Sequence, residues 1–205
     1  MESKTWDSFA PFYNLFMKKD SKGYKEMYDS IRKVITGKNV LELATGTGLI
    51  AKNVASSANH IDATDYSEKM IEQAKKGKNP KNITFEVQDA TNLKYNDKTY
   101  DVIIISNALH LLPNPDKAIH EIKRVLKNDG ILICPTFLKT DINKLPLFKK
   151  IGMKSIYRLG FQTCNQWTEA EFLSYLENNN FSIIKHKVID CTLPLCYVEC
   201  QEIKN

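Results

Sequence analysis

Apolar positions along the chain fall into two rhythms. Over residues 5–36, Phe9, Phe12, Tyr13, Phe16 and Met17 recur at steps of three and four, the spacing of one helix face. The polar run Lys18-Lys19-Asp20-Ser21-Lys22-Gly23 interrupts that face before a second helix begins. From residue 39 short apolar runs alternate with amphipathic segments. The runs Asn39–Leu43, His60–Thr64, Ile83–Val87, Tyr100–Ser106 and Gly130–Phe137 predict strands. The segments between them predict helices over about 47–57, 67–77 and 115–127, the last ended by Asn128-Asp129-Gly130. Such alternation implies right-handed βαβ units, hence a doubly wound, Rossmann-like α/β sheet with helices on both faces. Pro146 suits a helix start, and Thr168 with Glu171 forms a T-x-x-E capping box for another helix. Phe181–Asp190 and Leu195–Ile203 are joined tightly enough to form an antiparallel hairpin. That makes seven strands, mostly parallel, with an antiparallel C-terminal end.

Composition narrows the class. The chain has 205 residues, 42% hydrophobic and 26% charged, the balance of an ordinary globular domain with decoration. The expected organisation is one domain over 1–205: an N-terminal helical cap (1–37), a ligand-binding core (38–137), an insert (138–166) and a closing helix with its hairpin (167–205). No apolar run approaches the ~20 residues of a membrane span, and Met1-Glu-Ser-Lys-Thr-Trp6 lacks the apolar core of a signal peptide. The five cysteines are odd in number and form no C-x-x-C pair, so a cytoplasmic location is expected. Residues 139–158 hold six basic side chains against Asp141 alone, as much positive charge as the chain's whole net +5. A general nucleic-acid binder would be basic over a broader face, so no nucleic acid is expected. The stretch is either a solvated helix face or a local site for an anionic substrate or a membrane surface.

The strongest local signal is Val40-Leu-Glu-Leu-Ala-Thr-Gly-Thr-Gly-Leu-Ile-Ala51. A buried strand runs into a glycine-rich turn and then a helix, so backbone can approach a ligand beside a helix N-terminus. Gly46-x-Gly48-x-x-Ala51, with Asp65 about 20 residues on, also satisfies the dinucleotide fingerprint, which keeps a nicotinamide-dependent oxidoreductase open. Three features tilt the balance. Glu42 lies in the first strand, where a buried carboxylate is costly unless paired, and a ligand ammonium is a natural partner. Asp89-Ala90 puts a second polar contact at the carboxyl edge of the sheet. The terminal hairpin adds an antiparallel strand to an otherwise parallel sheet.

On these residues the chain resembles the class I S-adenosylmethionine-dependent methyltransferases, in particular the small-molecule branch that includes the ubiquinone and menaquinone C-methyltransferases. The resemblance is closest over about 38–137. It implies that Glu42-x-Ala44-x-Gly46-x-Gly48 surrounds the methionine part of the cofactor, with Ala44 in place of the family's first glycine, a replacement that is tolerable if its φ is negative. It implies that Asp65 takes both ribose hydroxyls, with Tyr66 and Met70 beside the adenine and Asp89 and Ala90 on its edge. Ser106-Asn107-Ala108-Leu109-His110 matches the segment facing the reacting methyl group, which makes His110 a candidate base. Tyr13, in the aromatic-rich opening segment, matches a position near the methionine end. The implied reaction is in-line transfer of a methyl group from S-adenosylmethionine, leaving S-adenosylhomocysteine, to a small acceptor. The apolar and basic character of 146–159 points to an apolar or amphiphilic acceptor, with peripheral contact to an anionic membrane surface as one source. No N/D-P-P-Y/F motif or catalytic Pro-Cys of macromolecule-modifying enzymes occurs. A cofactor-binding protein without turnover is the non-enzymatic alternative. His60, His120 and His186 lack metal-like spacing, so no metal is expected; Cys191, Cys196 and Cys200 read as small buried side chains.

Overall fold

The computed structural model describes residues 21–140 and 164–204. The expected helix around Phe9–Met17, Tyr13 and most of the basic 139–158 stretch lie outside these residues. Helix α1 (Ser21–Ile35) turns Tyr24, Met27, Tyr28, Ile31 and Ile35 inward at steps of three and four. Then come β1 (Asn39–Leu43), α2 (Leu49–Val54), a 3-10 turn (Ala55–Ser57), β2 (His60–Asp65), α3 (Glu68–Lys75), β3 (Ile83–Val87) and β4 (Tyr100–Ile105). A second 3-10 turn (Leu109–Leu111), α4 (Pro115–Val125), β5 (Leu126–Ile133), β6 (Thr136–Phe137), α5 (Glu169–Asn178), β7 (Phe181–Ile189) and β8 (Leu195–Glu202) complete the order. No described helix is long and apolar enough to cross a membrane.

The strands form one mixed sheet in the order β3-β2-β1-β4-β5-β8-β6, with β7 also paired to β8. β1 to β5 run parallel, while β8 runs antiparallel to β5, β6 and β7. Successive residues of β1 enter opposite cores. Val40 packs with α1, α2 and α3, whereas Leu41 and Leu43 pack with α4 and α5. Burial on both faces is why β1 and β4 read as nearly continuous apolar runs. Cys191 joins the first core and Cys134, Cys196 and Cys200 the second.

Thr168 and Glu171 make the expected capping box at α5. Two details differ from the sequence reading. Asn128-Asp129-Gly130 is not a helix stop: α4 ends at Val125 and the chain passes directly into β5. There β5 advances five positions, from Leu126 to Ile131, while β4 advances two, from Tyr100 to Val102, so the polar triplet is a bulge inside a strand. The expected strand Gly130–Phe137 is also divided at Cys134-Pro135 into β5 and β6, which makes eight described strands rather than seven. Proline has no N–H to give the ladder, and its carbonyl accepts instead from the Asn107 N–H at 2.8 Å.

The connection between β3 and β4 contains no described helix and is held by Arg124 of α4. Its guanidinium donates to the Leu93 carbonyl at 3.0 Å, the Tyr95 carbonyl at 2.7 Å and Asp97 at 2.8 Å. Glu121 accepts from both Arg124 and the Leu93 N–H, so one ion pair pins the loop that carries Asp89 and Ala90.

Gly130 serves the bulge by its size. A Cβ there would stand 2.6 Å from the Leu126 side chain and 2.9 Å from the Lys127 carbonyl oxygen. Gly130→Ala should therefore destabilise the fold by about 1–3 kcal/mol, as overpacking does. A urea titration checks this, and an unchanged midpoint would show that the bulge yields freely.

Candidate functional site

The connection after β1 passes to one face of the sheet through α2, and that after β4 passes to the other through α4. This divergence opens the carboxyl ends of both strands, the place where open α/β sheets take ligands. A cleft of about 350 Å³ lies there. It is lined by Ala44 and Gly46 after β1, Asp65, Tyr66 and Ser67 at β2, and Gln88, Asp89, Ala90 and Thr91 after β3. Ser106, Asn107 and Ala108 after β4 and the apolar Leu111-Leu112-Pro113 close the other end, and Met70 of α3 completes the wall.

Asp65 organises the first half. One carboxylate oxygen accepts from the Gly46 N–H at 2.8 Å and the other from the Ser67 N–H at 2.8 Å. One side chain thus ties the glycine loop to the start of α3, whose N-cap Ser67 accepts from the Met70 N–H at 3.1 Å. Asp89 folds its own turn, accepting at 2.8 Å from both the N–H and the hydroxyl of Thr91. Gly48 is required twice over. Its φ is +75°, and a Cβ would lie 2.7 Å from the Phe85 ring.

Ala44 corrects an expectation. Its φ is +53°, not negative, so the residue adopts the left-handed backbone that the family's glycine would take without strain. A Cβ in that region costs about 1–2 kcal/mol. Asn107, across the cleft, has φ +52°, a conformation asparagine tolerates well.

Three sequence-predicted residues stand off the cleft wall. Gly48 packs behind it, as described. Glu42 is buried beneath the loop with Oε2 unpartnered. Burial pushes its carboxyl up to about 8, and the charge of Asp65 adds to the rise. His110 lies in the Leu109–Leu111 turn, where burial pushes the imidazole down to about 4 and Nδ1 has no partner. Ala44, Gly46, Asp65, Tyr66, Met70, Asp89, Ala90 and Ser106 do line the cleft. Sequence reasoning did not single out Gln88, Thr91 or Leu111–Pro113. Gln88 and Thr91 flank Asp89-Ala90 and were available as neighbours; the apolar turn carried no comparable signal. Ser67 was not singled out either; it caps α3.

Among the described residues, buried side-chain polar atoms without a partner gather at this end of the sheet. Glu42 Oε2, Thr45 Oγ1, Ser106 Oγ, Asn107 Oδ1, His110 Nδ1 and Thr136 Oγ1 all lie near or beyond the carboxyl ends of β1, β4 or β5, and Asn79 alone lies elsewhere. Orphaned polar atoms are few in native interiors, and their concentration marks a place built to receive a polar ligand.

The Glu42 carboxyl generates a pH prediction. Its folded value near 8 exceeds the ordinary 4.5, so the unfolded chain holds fewer protons between those limits. Stability should fall as pH rises from about 4.5 to 8, by an amount on the order of 3 kcal/mol. Glu42→Gln should leave stability at pH 5 nearly unchanged and raise it at pH 8. Thermal unfolding of both proteins at the two pH values checks this; equal loss in both would clear Glu42 as the cause.

Comparison with known proteins agrees with this architecture. Residues 41–134 match the family model described as a methyltransferase domain. A demethylmenaquinone methyltransferase of Lactobacillus johnsonii is 33% identical over 162 residues, covering 73% of this chain and 64% of that one. The chain spans 41–69% of the lengths of the first three curated relatives it matches. Among solved structures, a chain from the Haloferax volcanii complex with the Trm112 methyltransferase activator superposes with TM-score 0.80 at 15% identity, covering 98% of this chain and 97% of that one. A SAM-dependent methyltransferase from Aquifex aeolicus gives 0.69 at 19% identity, covering 99% and 100%. These two likenesses show a shared fold. The family match spans every residue that lines the cleft, so it is the cleft-bearing part of the chain that is similar to a methyltransferase domain.

Proposed function

We propose that the chain transfers the methyl group of S-adenosylmethionine to a small apolar or amphiphilic acceptor and leaves S-adenosylhomocysteine. One observation carries the reading: the cleft at the switch point is lined wholly from within the methyltransferase-domain match. The residues present suit the cofactor. Asp65 would take the ribose hydroxyls, its carboxylate already aimed by two backbone N–H groups. Tyr66 and Met70 would flank the adenine, Asp89 and Ala90 would meet its edge, and Ala44 and Gly46 would follow the methionine part. The orphaned polar atoms beyond β1 and β4 supply unused hydrogen-bonding capacity at that same end.

The bound cofactor supplies a methyl group on a cationic sulfur. The chain's part is to hold an acceptor nucleophile in line with it and to keep water away. Orientation of this kind can lower a barrier by about 7–11 kcal/mol. Ala108, Leu111, Leu112 and Pro113 form an apolar wall fit for a ring or chain, in keeping with the quinone named for the Lactobacillus johnsonii relative. His110 is held neutral, the form able to accept a proton, but a value near 4 makes it a weak base. Orientation is therefore the larger contribution. A dinucleotide at Gly46-x-Gly48-x-x-Ala51 is the competing reading of the loop, and the same experiment separates the two.

Calorimetric titration with S-adenosylmethionine, S-adenosylhomocysteine, NADH and NADPH in parallel tests the proposal. Micromolar binding of the two sulfur nucleosides is expected, with no binding of either nicotinamide. Asp65→Ala should weaken both nucleosides by about 1–3 kcal/mol, through loss of charge-assisted hydrogen bonds. Binding of a nicotinamide instead, or of none of the four, would overturn the reading.

A further inference from the structure

The stretch from Asp89 to Asp97 contains no described helix, yet it carries Ala90 and Thr91 into the cleft. It is braced from two sides. On the β3 side, the Gln88 side chain accepts from the Lys94 N–H at 3.0 Å and donates to Glu86 at 3.0 Å. On the α4 side, Arg124 and Glu121 grip three main-chain groups: the Leu93 N–H, the Leu93 carbonyl and the Tyr95 carbonyl.

The α4 brace is saturated. Arg124 makes five hydrogen bonds, as many as a guanidinium has N–H donors. Two of them go to Glu121, from Nε at 2.8 Å and from Nη2 at 2.7 Å, a fork that lysine cannot reproduce. Asp97 is 71% exposed, so its share of the brace is small. Beneath the pair, Ala118, Ile119, Ile122 and Val125 bury α4 in the core, so the brace is anchored. Between Leu93 and Ala90 the chain is tied to itself. The Asp89 carboxylate accepts from the Thr91 N–H, and the Asp89 carbonyl accepts from the Asn92 N–H at 3.0 Å. A shift at Leu93 is therefore passed on to Ala90 rather than absorbed between them.

We propose that the Arg124–Glu121 pair is a positioning device that sets which purine the cleft accepts, by holding the loop after β3 rigid against the edge of the base. The inference rests on the cofactor reading and extends it to two residues that do not line the cleft. Selectivity for the base then originates on a helix behind the site.

The experiment compares two ligands on purified protein: S-adenosylhomocysteine and S-inosylhomocysteine. The second has a 6-oxo group and a protonated N1 in place of the 6-amino group and the bare N1, so donors and acceptors on that edge are exchanged. A rigid loop penalises the mismatch, whereas a loose one adapts to it. The unaltered protein should bind S-adenosylhomocysteine the more tightly. Arg124→Lys keeps the charge and loses the fork. It should weaken S-adenosylhomocysteine about tenfold and leave S-inosylhomocysteine within about twofold, so that discrimination narrows. Glu121→Gln should narrow it in the same direction, and carries the test alone if Arg124→Lys does not fold. A purely structural role would lower the folded fraction for both ligands alike and leave their ratio unchanged. An unchanged ratio in the folded variants, or equal binding of the two ligands by the unaltered protein, would overturn the inference while leaving the cofactor reading intact. If the unaltered protein binds neither ligand, the cofactor reading falls and this inference with it.

Discussion

The constraint on which the molecule turns is the divergence of the chain at β1 and β4. These strands are hydrogen-bonded neighbours at the centre of the sheet. Their following connections nonetheless leave on opposite faces, so no described helix covers their carboxyl ends. Everything assigned to the site hangs on that gap. The glycine loop occupies one lip, Ser106-Asn107-Ala108 the other, and Asp65 and the Asp89 turn extend the opening sideways along β2 and β3. The two cores on either side of the sheet hold these lips at a fixed separation. Because Arg124 and Glu121 clamp the β3–β4 loop, even the irregular part of the rim is anchored to a helix.

The gap is where the fold gives up stability. Ala44 adopts a backbone that suits glycine, and Glu42 sits neutral under the loop with one oxygen unsatisfied. Buried polar atoms without partners each cost on the order of 1–3 kcal/mol, and six of them lie at this end of the sheet. Local rules and global fold agree at the Thr168 capping box and in the alternation of β1 between two cores. Conflict concentrated at one end of the sheet is the pattern expected where structure has been spent on function rather than on folding.

The same distinction explains what could be read from the sequence. β1 and β4 were legible because strands buried on both faces are apolar almost throughout, and α5 because Thr168 is a cap with a local mechanism. Gly48 was legible because a glycine between a strand and a helix usually serves a close approach. Asn128-Asp129-Gly130 was misleading because the same residues suit a helix stop and a bulge; only pairing with β4 decides between them. The positive φ of Ala44 was hidden, since nothing local to an alanine announces it. Asp65 and Asp89 stood out as carboxylates after strands, but the Leu111–Pro113 wall did not, because apolar turn residues resemble any packed loop. The Tyr24–Asn107 hydrogen bond joins two segments whose nearness exists only once the sheet has formed.

Charge along the cleft bears on turnover under the proposed function. The carboxylates that line it, Asp65 and Asp89, stand toward the nucleoside end, and Glu42 lies uncharged beneath the loop in the free protein. The donor carries a sulfonium that the product lacks, so it has one more positive charge. A field set by fixed carboxylates therefore favours the donor over the product, and ionisation of Glu42 beside a bound ammonium would deepen that preference. Loss of the positive charge in the chemical step removes the same attraction. A site so arranged needs no strong base to drive the cycle forward, which accords with a His110 imidazole too weak to be the principal source of acceleration.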